Sequence, residues 1–86
     1  MNETFEQRVE ATTRMLISAC QERDIRLAGD MAVSEAAAAE LLGYSSADSL
    51  RKQVAEGVNR LPFRTIGNRR MYRITDIAKE MERTYG

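Results

Sequence analysis

The chain contains no histidine and only one cysteine among its 86 residues. Histidine is the commonest general base and the commonest zinc ligand, so its absence argues against hydrolytic and zinc-dependent chemistry. A single cysteine excludes an intrachain disulfide and any CxxC metal or redox site, and it is more typical of a reducing compartment. The phosphate-binding pattern G-x-x-x-x-G-K-S/T is also missing. We therefore expect no catalysis, no cofactor and no metal site.

Long apolar runs are missing as well. No segment approaches the roughly 18–20 apolar residues that a membrane span requires. Residues 1–6 are acidic and lack the basic-then-apolar order of a signal peptide. We therefore expect a soluble cytoplasmic protein with no membrane partner. With 43% apolar and 30% charged residues, residues 1–86 suffice for one small folded domain but not for an enzyme with separate cofactor and substrate domains.

The net charge is zero, but the charges are divided unevenly along the chain. Residues 1–40 carry four arginines against eight carboxylates, a net charge of −4, whereas residues 41–86 carry nine basic and five acidic residues, a net charge of +4. Between Arg51 and Arg73 there are seven basic residues and a single acid, Glu56. Such a cluster is typical of a surface that binds nucleic acid or another polyanion.

The spacing of apolar residues predicts a long first helix over residues 4–27 and a short last helix over residues 76–84. Thr4 and Gln7 match a capping box at the start of the first helix, and Thr75 matches the cap of the last. We expect Cys20 to be a small buried residue of the first helix. The apolar stripe of that helix consists of Phe5, Val9, Thr12, Leu16, Ala19 and Cys20.

Two further short helices are predicted over residues 35–42 and 47–56. Each follows a serine that matches a helix cap, and each is followed by a glycine that matches a helix end. These flanking residues are Ser34 and Gly43 for the first of the two, and Ser45 or Ser46 and Gly57 for the second.

Gly67-Asn68 between two β-prone runs, residues 61–66 and 69–74, is typical of a two-residue hairpin loop. A brief strand or extended segment is expected at residues 31–33. With this loop Ile66 pairs with Arg69, and opposed residues share a face. The predicted core face consists of Leu61, Phe63, Tyr72 and Ile74. The predicted outer face includes Arg64, Ile66, Arg69, Met71 and Arg73.

From residue 31 onward the order is extended segment, helix, turn, helix, arginine-rich hairpin and helix. Two short helices joined by a glycine-containing turn are typical of a helix-turn-helix, and the hairpin makes it winged. Residues 31–83 resemble the excisionase-like and MerR-like winged helix-turn-helix domains of phages, plasmids and integrating elements. The segments that carry the resemblance are Val33-Ser34-Glu35-Ala36-Ala37, Leu41-Leu42-Gly43-Tyr44-Ser45, Leu61-Pro62-Phe63-Arg64-Thr65-Ile66-Gly67 and Arg70-Met71-Tyr72-Arg73-Ile74.

The expected fold is therefore mainly α with a small β-hairpin. It is a winged helix-turn-helix over residues 31–84, preceded by an extra N-terminal helix. The resemblance implies sequence-specific binding of double-stranded DNA by a nucleoid-associated protein. The protein would act as an excisionase (a recombination directionality factor) in contact with an integrase, or as a small transcription regulator of a mobile element in contact with RNA polymerase.

In such domains the second helix of the motif docks in the major groove, while the hairpin grips phosphates or enters the minor groove. Serines and a helix N-terminus suit phosphate, and arginine suits both phosphate and guanine edges. The predicted DNA-contacting residues are Ser45, Ser46, Ser49, Arg51, Lys52, Gln53, Arg64, Arg69, Arg70 and Arg73.

The chain departs from the family pattern in two places. The link from Glu56 to Leu61 contains an extra Val58-Asn59, and helix 4–27 lies outside the minimal domain. That helix either closes the core of its own domain or packs on its twin in a homodimer, which we favour. Its acidic face also suits a head-to-tail assembly on DNA. The rival functions are a protein-interaction module such as an anti-repressor, or a DNA-recognition subunit for phage packaging.

Overall fold

Four helices and a three-stranded antiparallel sheet make up the computed structural model, which describes residues 3–85. The expected mainly α fold with a small β-hairpin and an N-terminal helix is confirmed. Within these residues, none of the helices is both long and apolar enough to cross a membrane. The elements in chain order are α1 (Phe5–Glu22), β1 (Ala32–Ser34), α2 (Glu35–Leu42), α3 (Ala47–Ala55), β2 (Arg64–Ile66), β3 (Arg69–Arg73) and α4 (Ile74–Tyr85).

Three of the four helix starts follow the predicted caps. Thr4 and Gln7 form the capping box of α1, each side chain bonding the other residue's backbone N–H. The Ser34 hydroxyl caps α2 by accepting a backbone hydrogen bond. Of the two serines considered for α3, Ser46 is the cap, and Ser45 lies one residue outside it. The local spacing of small polar residues therefore determined three helix starts correctly.

The predicted end of α1 at residue 27 is wrong, since the helix stops at Glu22. Asp24 has a φ of 53°, which turns the chain into the left-handed conformation. The backbone N–H of Ile25 then reaches back to the carbonyl of Cys20 at 2.9 Å, the pattern of a Schellman ending. Ile25 also packs against the core, so tertiary contact favours the turn over a continued helix.

The predicted cap of α4 is also wrong. The chain passes directly from β3 into α4 at Ile74, so Thr75 lies within the first turn and does not cap it. The backbone N–H of Ile74 instead donates to the carbonyl of Met31 at 2.9 Å. Met31, in the segment before β1, thus accepts a hydrogen bond from a backbone N–H for which the sequence predicted no partner.

The sheet contains one strand more than the predicted hairpin, in the order β1-β3-β2. β1 pairs with β3 so that Val33 lies opposite Tyr72. In the hairpin Ile66 pairs with Arg69 across the Gly67-Asn68 loop, which confirms the predicted register. The ladder of β2 extends only back to Arg64, so the hairpin is shorter than the sequence indicated.

The core lies between α1, α2, α4 and the inner face of the sheet, with Leu50 entering it from α3. Leu61, Tyr72 and Ile74 are buried as predicted, and so is Cys20. The buried apolar residues that form the core cluster are Val9, Leu16, Cys20, Val33, Ala38, Ala39, Leu50, Leu61, Tyr72, Ile74, Ile77 and Ala78.

Phe63 is the exception to the predicted core face, because 43% of it is exposed. It lies one residue before the start of β2, beyond the end of the hydrogen-bonded ladder. Its ring contacts Tyr72, with 5.9 Å between the ring centroids, and the Arg70 guanidinium covers it at 4.6 Å. Phe63 is therefore a surface residue packed between another ring and a cation.

The apolar stripe of α1 packs against α4 of the same chain, except for Phe5, which is 42% exposed. Thr12 donates a 2.8 Å hydrogen bond to Glu82, and Arg8 forms an ion pair with that carboxylate at 3.3 Å. Val9 and Leu16 are buried beside these contacts. The stripe thus closes the core of its own domain, and a homodimer through α1 would have to use residues that remain exposed.

Candidate nucleic-acid interface

The structure brings the start of α3 and the tip of the hairpin to the two sides of one groove of about 270 Å³. Arg51 of α3 lies on one side, and Arg69 and Arg70 of the hairpin lie on the other. The start of α2 forms the rest of the groove. Three arginines from two separate elements therefore converge on one face.

A tight turn between α2 and α3 sets this geometry. Gly43 has a φ of 89°, a conformation that glycine adopts without the steric cost of a Cβ. The N–H of Tyr44 donates to the carbonyl of Ala39 at 2.9 Å, which closes α2 with a Schellman ending. α3 begins at Ala47 and is anchored in the core by the fully buried Leu50. Its opposite side is left facing solvent.

Glu35, the first residue of α2, ties the elements of the groove together. Its side chain is 11% exposed and accepts a 2.9 Å contact from Arg51 and a 2.8 Å hydrogen bond from the Tyr72 hydroxyl. Arg70 approaches the same carboxylate at 3.9 Å. Arg51 also contacts Asp48 at 3.0 Å within α3. Sequence reasoning missed Glu35, because a first-turn glutamate at a capped helix carries no signal of a long-range role.

These contacts change the acidity of the groups involved. Burial, with the hydrogen bond to Glu35 as a further cause, raises the pKa of Tyr72 to about 12. The same carboxylate raises the pKa of the Arg51 guanidinium through a hydrogen bond and charge attraction. Tyr72 is therefore a protonated donor, and Arg51 a permanent cation, throughout the physiological range.

Two hairpin arginines from the predicted site are also held by neighbouring groups. Arg64 donates a 2.7 Å bond to Asp30 in the loop before β1, and that hydrogen bond lowers the pKa of the Asp30 carboxyl. The guanidinium of Arg70 lies over the Phe63 ring. The Arg64–Asp30 bond ties the hairpin to the loop before β1, whereas the Arg70–Phe63 contact lies within the hairpin segment.

Three cations of the predicted site lack the ion pairs that Arg51 and Arg64 make. They are Lys52, Arg69 and Arg73. All three are exposed. Within residues 3–85 none of them makes an ion pair or a side-chain hydrogen bond. Among residues 3–85 no carboxylate lies within ion-pair distance of the three, although Arg73 lines a separate groove that also contains Asp30 and Asp76. They are the strongest candidates for contact with an anionic ligand.

The polar residues of the predicted site fall into two groups. Ser45 and Ser46 are exposed, although the Ser46 hydroxyl is engaged as the helix cap. Ser49 is partly buried and lies within 3.1 Å of the Ser46 hydroxyl. Gln53 is also partly buried, so it does not share the fully exposed position of Lys52.

The extra residues in the link between α3 and β2 have a structural role that the sequence did not reveal. Asn59 is 7% exposed. Its amide donates to the Tyr44 hydroxyl at 3.0 Å, and its side-chain oxygen accepts from the Leu61 N–H at 3.2 Å. Asn59 thus connects the turn between α2 and α3 to the segment that leads into the hairpin.

Within residues 3–85, no group of three or more histidine, cysteine, aspartate or glutamate side chains is placed to hold a metal ion. The chemistry that the groove offers is electrostatic and hydrogen-bonding contact. No protein-family model, no curated protein and no solved structure matches the chain.

Proposed function

We propose that the protein binds double-stranded DNA, with α3 in the major groove and the hairpin on the neighbouring phosphates and minor groove. The observation that supports this most directly is the groove in which Arg51 of α3 and Arg70 of the hairpin lie on either side of Glu35, while Arg69 beside them has no carboxylate partner among residues 3–85. A helix and a β-ribbon that share one cationic face suit the alternating grooves and backbones of a duplex.

The size and polarity of α3 suit this placement. It has nine residues, and an α-helix with its side chains is about 10–12 Å in diameter, which fits a major groove about 12 Å wide. Lys52 projects from its exposed side without a partner in the protein. The exposed Ser45 and the first backbone N–H groups of α3 suit a phosphate at the helix start. We propose Lys52, Arg69 and Arg73 as the principal DNA contacts.

The biological role that we propose is that of an excisionase or of a small transcription regulator encoded by a mobile element. Both roles use the same DNA-contacting surface, so the fold does not choose between them. Footprinting separates them. An excisionase occupies several spaced sites beside a recombination site and bends them, whereas a regulator occupies sites at a promoter.

The direct test is fluorescence anisotropy with a labelled duplex taken from beside the protein's own gene, measured over a series of salt concentrations. If about five phosphates are contacted, the slope of log K against log salt is near −4 to −5. Reversing the charge of both Arg69 and Arg73 with glutamate should reduce the affinity by at least tenfold and make the slope shallower.

A control with the same change of charge reverses Arg14, which is ion-paired with Glu10 at 3.1 Å, and Lys79 instead, since both lie along an α1–α4 groove that contains none of the proposed contacts. This control changes the net charge equally and should retain most of the affinity. Equal losses in the two double variants, or no salt-dependent binding by the native protein, would contradict the proposal.

A protein-interaction module is the second candidate, and one observation favours it. Met15 and Tyr85 are 59% and 82% exposed, and both line a groove of about 490 Å³ between α1, the end of α2 and α4. Apolar side chains at such a groove are typical of a protein contact, including a homodimer contact. Light scattering of the native protein and of Met15→Asp distinguishes a dimer that dissociates on substitution from a monomer.

A further inference from the structure

A second groove, of about 710 Å³, lies on the other side of Arg69 from the groove at α3. It runs between the loop of residues 25–29 and the hairpin, and Arg26 of the loop lines it together with Arg69. No carboxylate lines it, whereas each of four other surface grooves includes at least one. Its charge is therefore purely positive.

The residues on either side of Arg26 in the sequence hold it at this groove. Ile25 and Leu27 pack against the core on either side of it, so Arg26 between them is left exposed. Two backbone hydrogen bonds fix the rest of the loop, from the Ala28 N–H to Ala32 at 2.8 Å and from the Met31 N–H to Ala28 at 2.9 Å. The position of Arg26 is thus set by ordered backbone.

The loop is also held against the hairpin. Asp30 accepts the 2.7 Å bond from Arg64 of β2, which ties the loop to the strand that carries Ile66 of the groove. Arg26 itself makes no ion pair within residues 3–85. Arg26 and Arg69 are therefore two uncompensated cations on the two walls of the groove, and the Asp30–Arg64 bond holds these walls together.

We propose that Arg26 and Arg69 bind the phosphate backbone of one DNA strand in this groove, as a contact separate from that of α3. This inference rests on the proposed function and adds a third DNA-contacting segment to it. The planar guanidinium of each arginine suits two oxygens of a phosphate. The exposed Ile66 and the partly buried Met71 line the same groove and suit the apolar faces of the deoxyriboses.

Continuity with the α3 groove favours DNA over an acidic protein segment. Ser34 and Arg69 line both grooves, so a strand that leaves the α3 groove passes directly into the second one. A duplex presents phosphates at regular intervals along such a path. The order of contacts along the strand is then α3, Arg69 and Arg26.

The test compares the salt dependence of DNA binding by Arg26→Gln, Arg69→Gln, the double variant and Lys79→Gln. Lys79 is an exposed cation on the α1–α4 side, so its substitution controls for the loss of one charge. Anisotropy is measured with a labelled duplex of about 30 base pairs, roughly three helical turns. Each of the two arginine substitutions should make the slope of log K against log salt shallower by about 0.9, and the double variant by about twice that.

The outcomes separate this inference from the proposed function. A slope that changes in Arg69→Gln but not in Arg26→Gln overturns the role of Arg26 and leaves the DNA-binding proposal intact. The same change in Lys79→Gln as in Arg26→Gln also overturns it, because the effect would then be one of net charge. Absence of salt-dependent binding by the native protein overturns both proposals. As a second measurement, the side-chain NMR signal of Arg26 should shift on addition of the duplex, and an unmoved signal overturns the contact.

Discussion

The hydroxyl of Tyr72 in β3 donates a 2.8 Å hydrogen bond to Glu35 at the start of α2. Arg51 of α3 binds the other oxygen of the same carboxylate. One glutamate therefore couples the hairpin to both α2 and α3. The spacing of the elements that would face DNA depends on this group, which itself need not touch DNA.

Replacing Tyr72 with phenylalanine keeps the ring in the core and removes only the bond to Glu35. Because the bond is partly buried and its acceptor is charged, we expect the free energy of unfolding to fall by about 1–2 kcal/mol. Urea denaturation measures the change. An unchanged midpoint would mean that Arg51 alone satisfies the carboxylate.

The raised pKa of Tyr72 predicts a loss of stability in alkali. A tyrosine in the unfolded chain releases its proton near pH 10, whereas the pKa of Tyr72 in the fold is about 12. Its contribution is therefore fully present below about pH 10 and is lost as the pH rises to about 12, by roughly 2 kcal/mol. Denaturation at a series of pH values should show a steeper decline in the native protein than in Tyr72→Phe, in which the other tyrosines still titrate. Parallel declines would contradict the assigned pKa.

Arg51 and Lys52 are adjacent cations with different expected roles. Arg51→Gln leaves Glu35 without its cationic partner in α3, so we expect the melting temperature to fall by a few degrees. Lys52→Gln removes an uncompensated exposed charge, so we expect an unchanged melting temperature and a salt slope of DNA binding that is shallower by about 0.9. Thermal unfolding and anisotropy on both variants check the division. Equal melting temperatures of Arg51→Gln and Lys52→Gln would contradict a structural role for Arg51.

Asn59 links the turn after α2 to the start of the hairpin. Asn59→Ala leaves the Leu61 N–H without its acceptor and the Tyr44 hydroxyl without its donor, so we expect a loss of about 1–3 kcal/mol. The neighbouring Val58 is 62% exposed, and Val58→Ala should change stability by less than about 0.5 kcal/mol. Chemical denaturation of both variants tests the contrast. Similar effects would show that the link contributes only its length.

Gly43 and Gly29 form a matched pair for testing the turn. Nothing lies within 4 Å of a Cβ placed at either residue, but only Gly43 of the two has a positive φ, 89°. Gly43→Ala should therefore cost about 1–2 kcal/mol through backbone strain alone. Gly29→Ala should be within about 0.5 kcal/mol of the native protein. Equal thermal stability of the two variants would contradict a strained turn.

The sequence by itself determined the elements whose signals lie within a few neighbouring residues. The capping box of Thr4 and Gln7, the Ser34 cap and the hairpin register across Gly67-Asn68 all follow from local hydrogen bonding and backbone preference. The excess of basic residues in α3 and the hairpin is also evident directly from the amino-acid sequence. These features depend on short-range rules that hold in any fold.

The tertiary structure decided which charges are compensated and where the elements stop. Arg51 lies 16 residues from Glu35, and Arg64 lies 34 residues from Asp30. No local pattern marks either pair, because each forms only once the helices and the sheet have packed. The early end of α1 at Glu22 and the exposure of Phe63 have the same origin. Local energies differ little between a continued helix and a turn, or between a longer and a shorter strand, and contacts from distant parts of the chain decide between them.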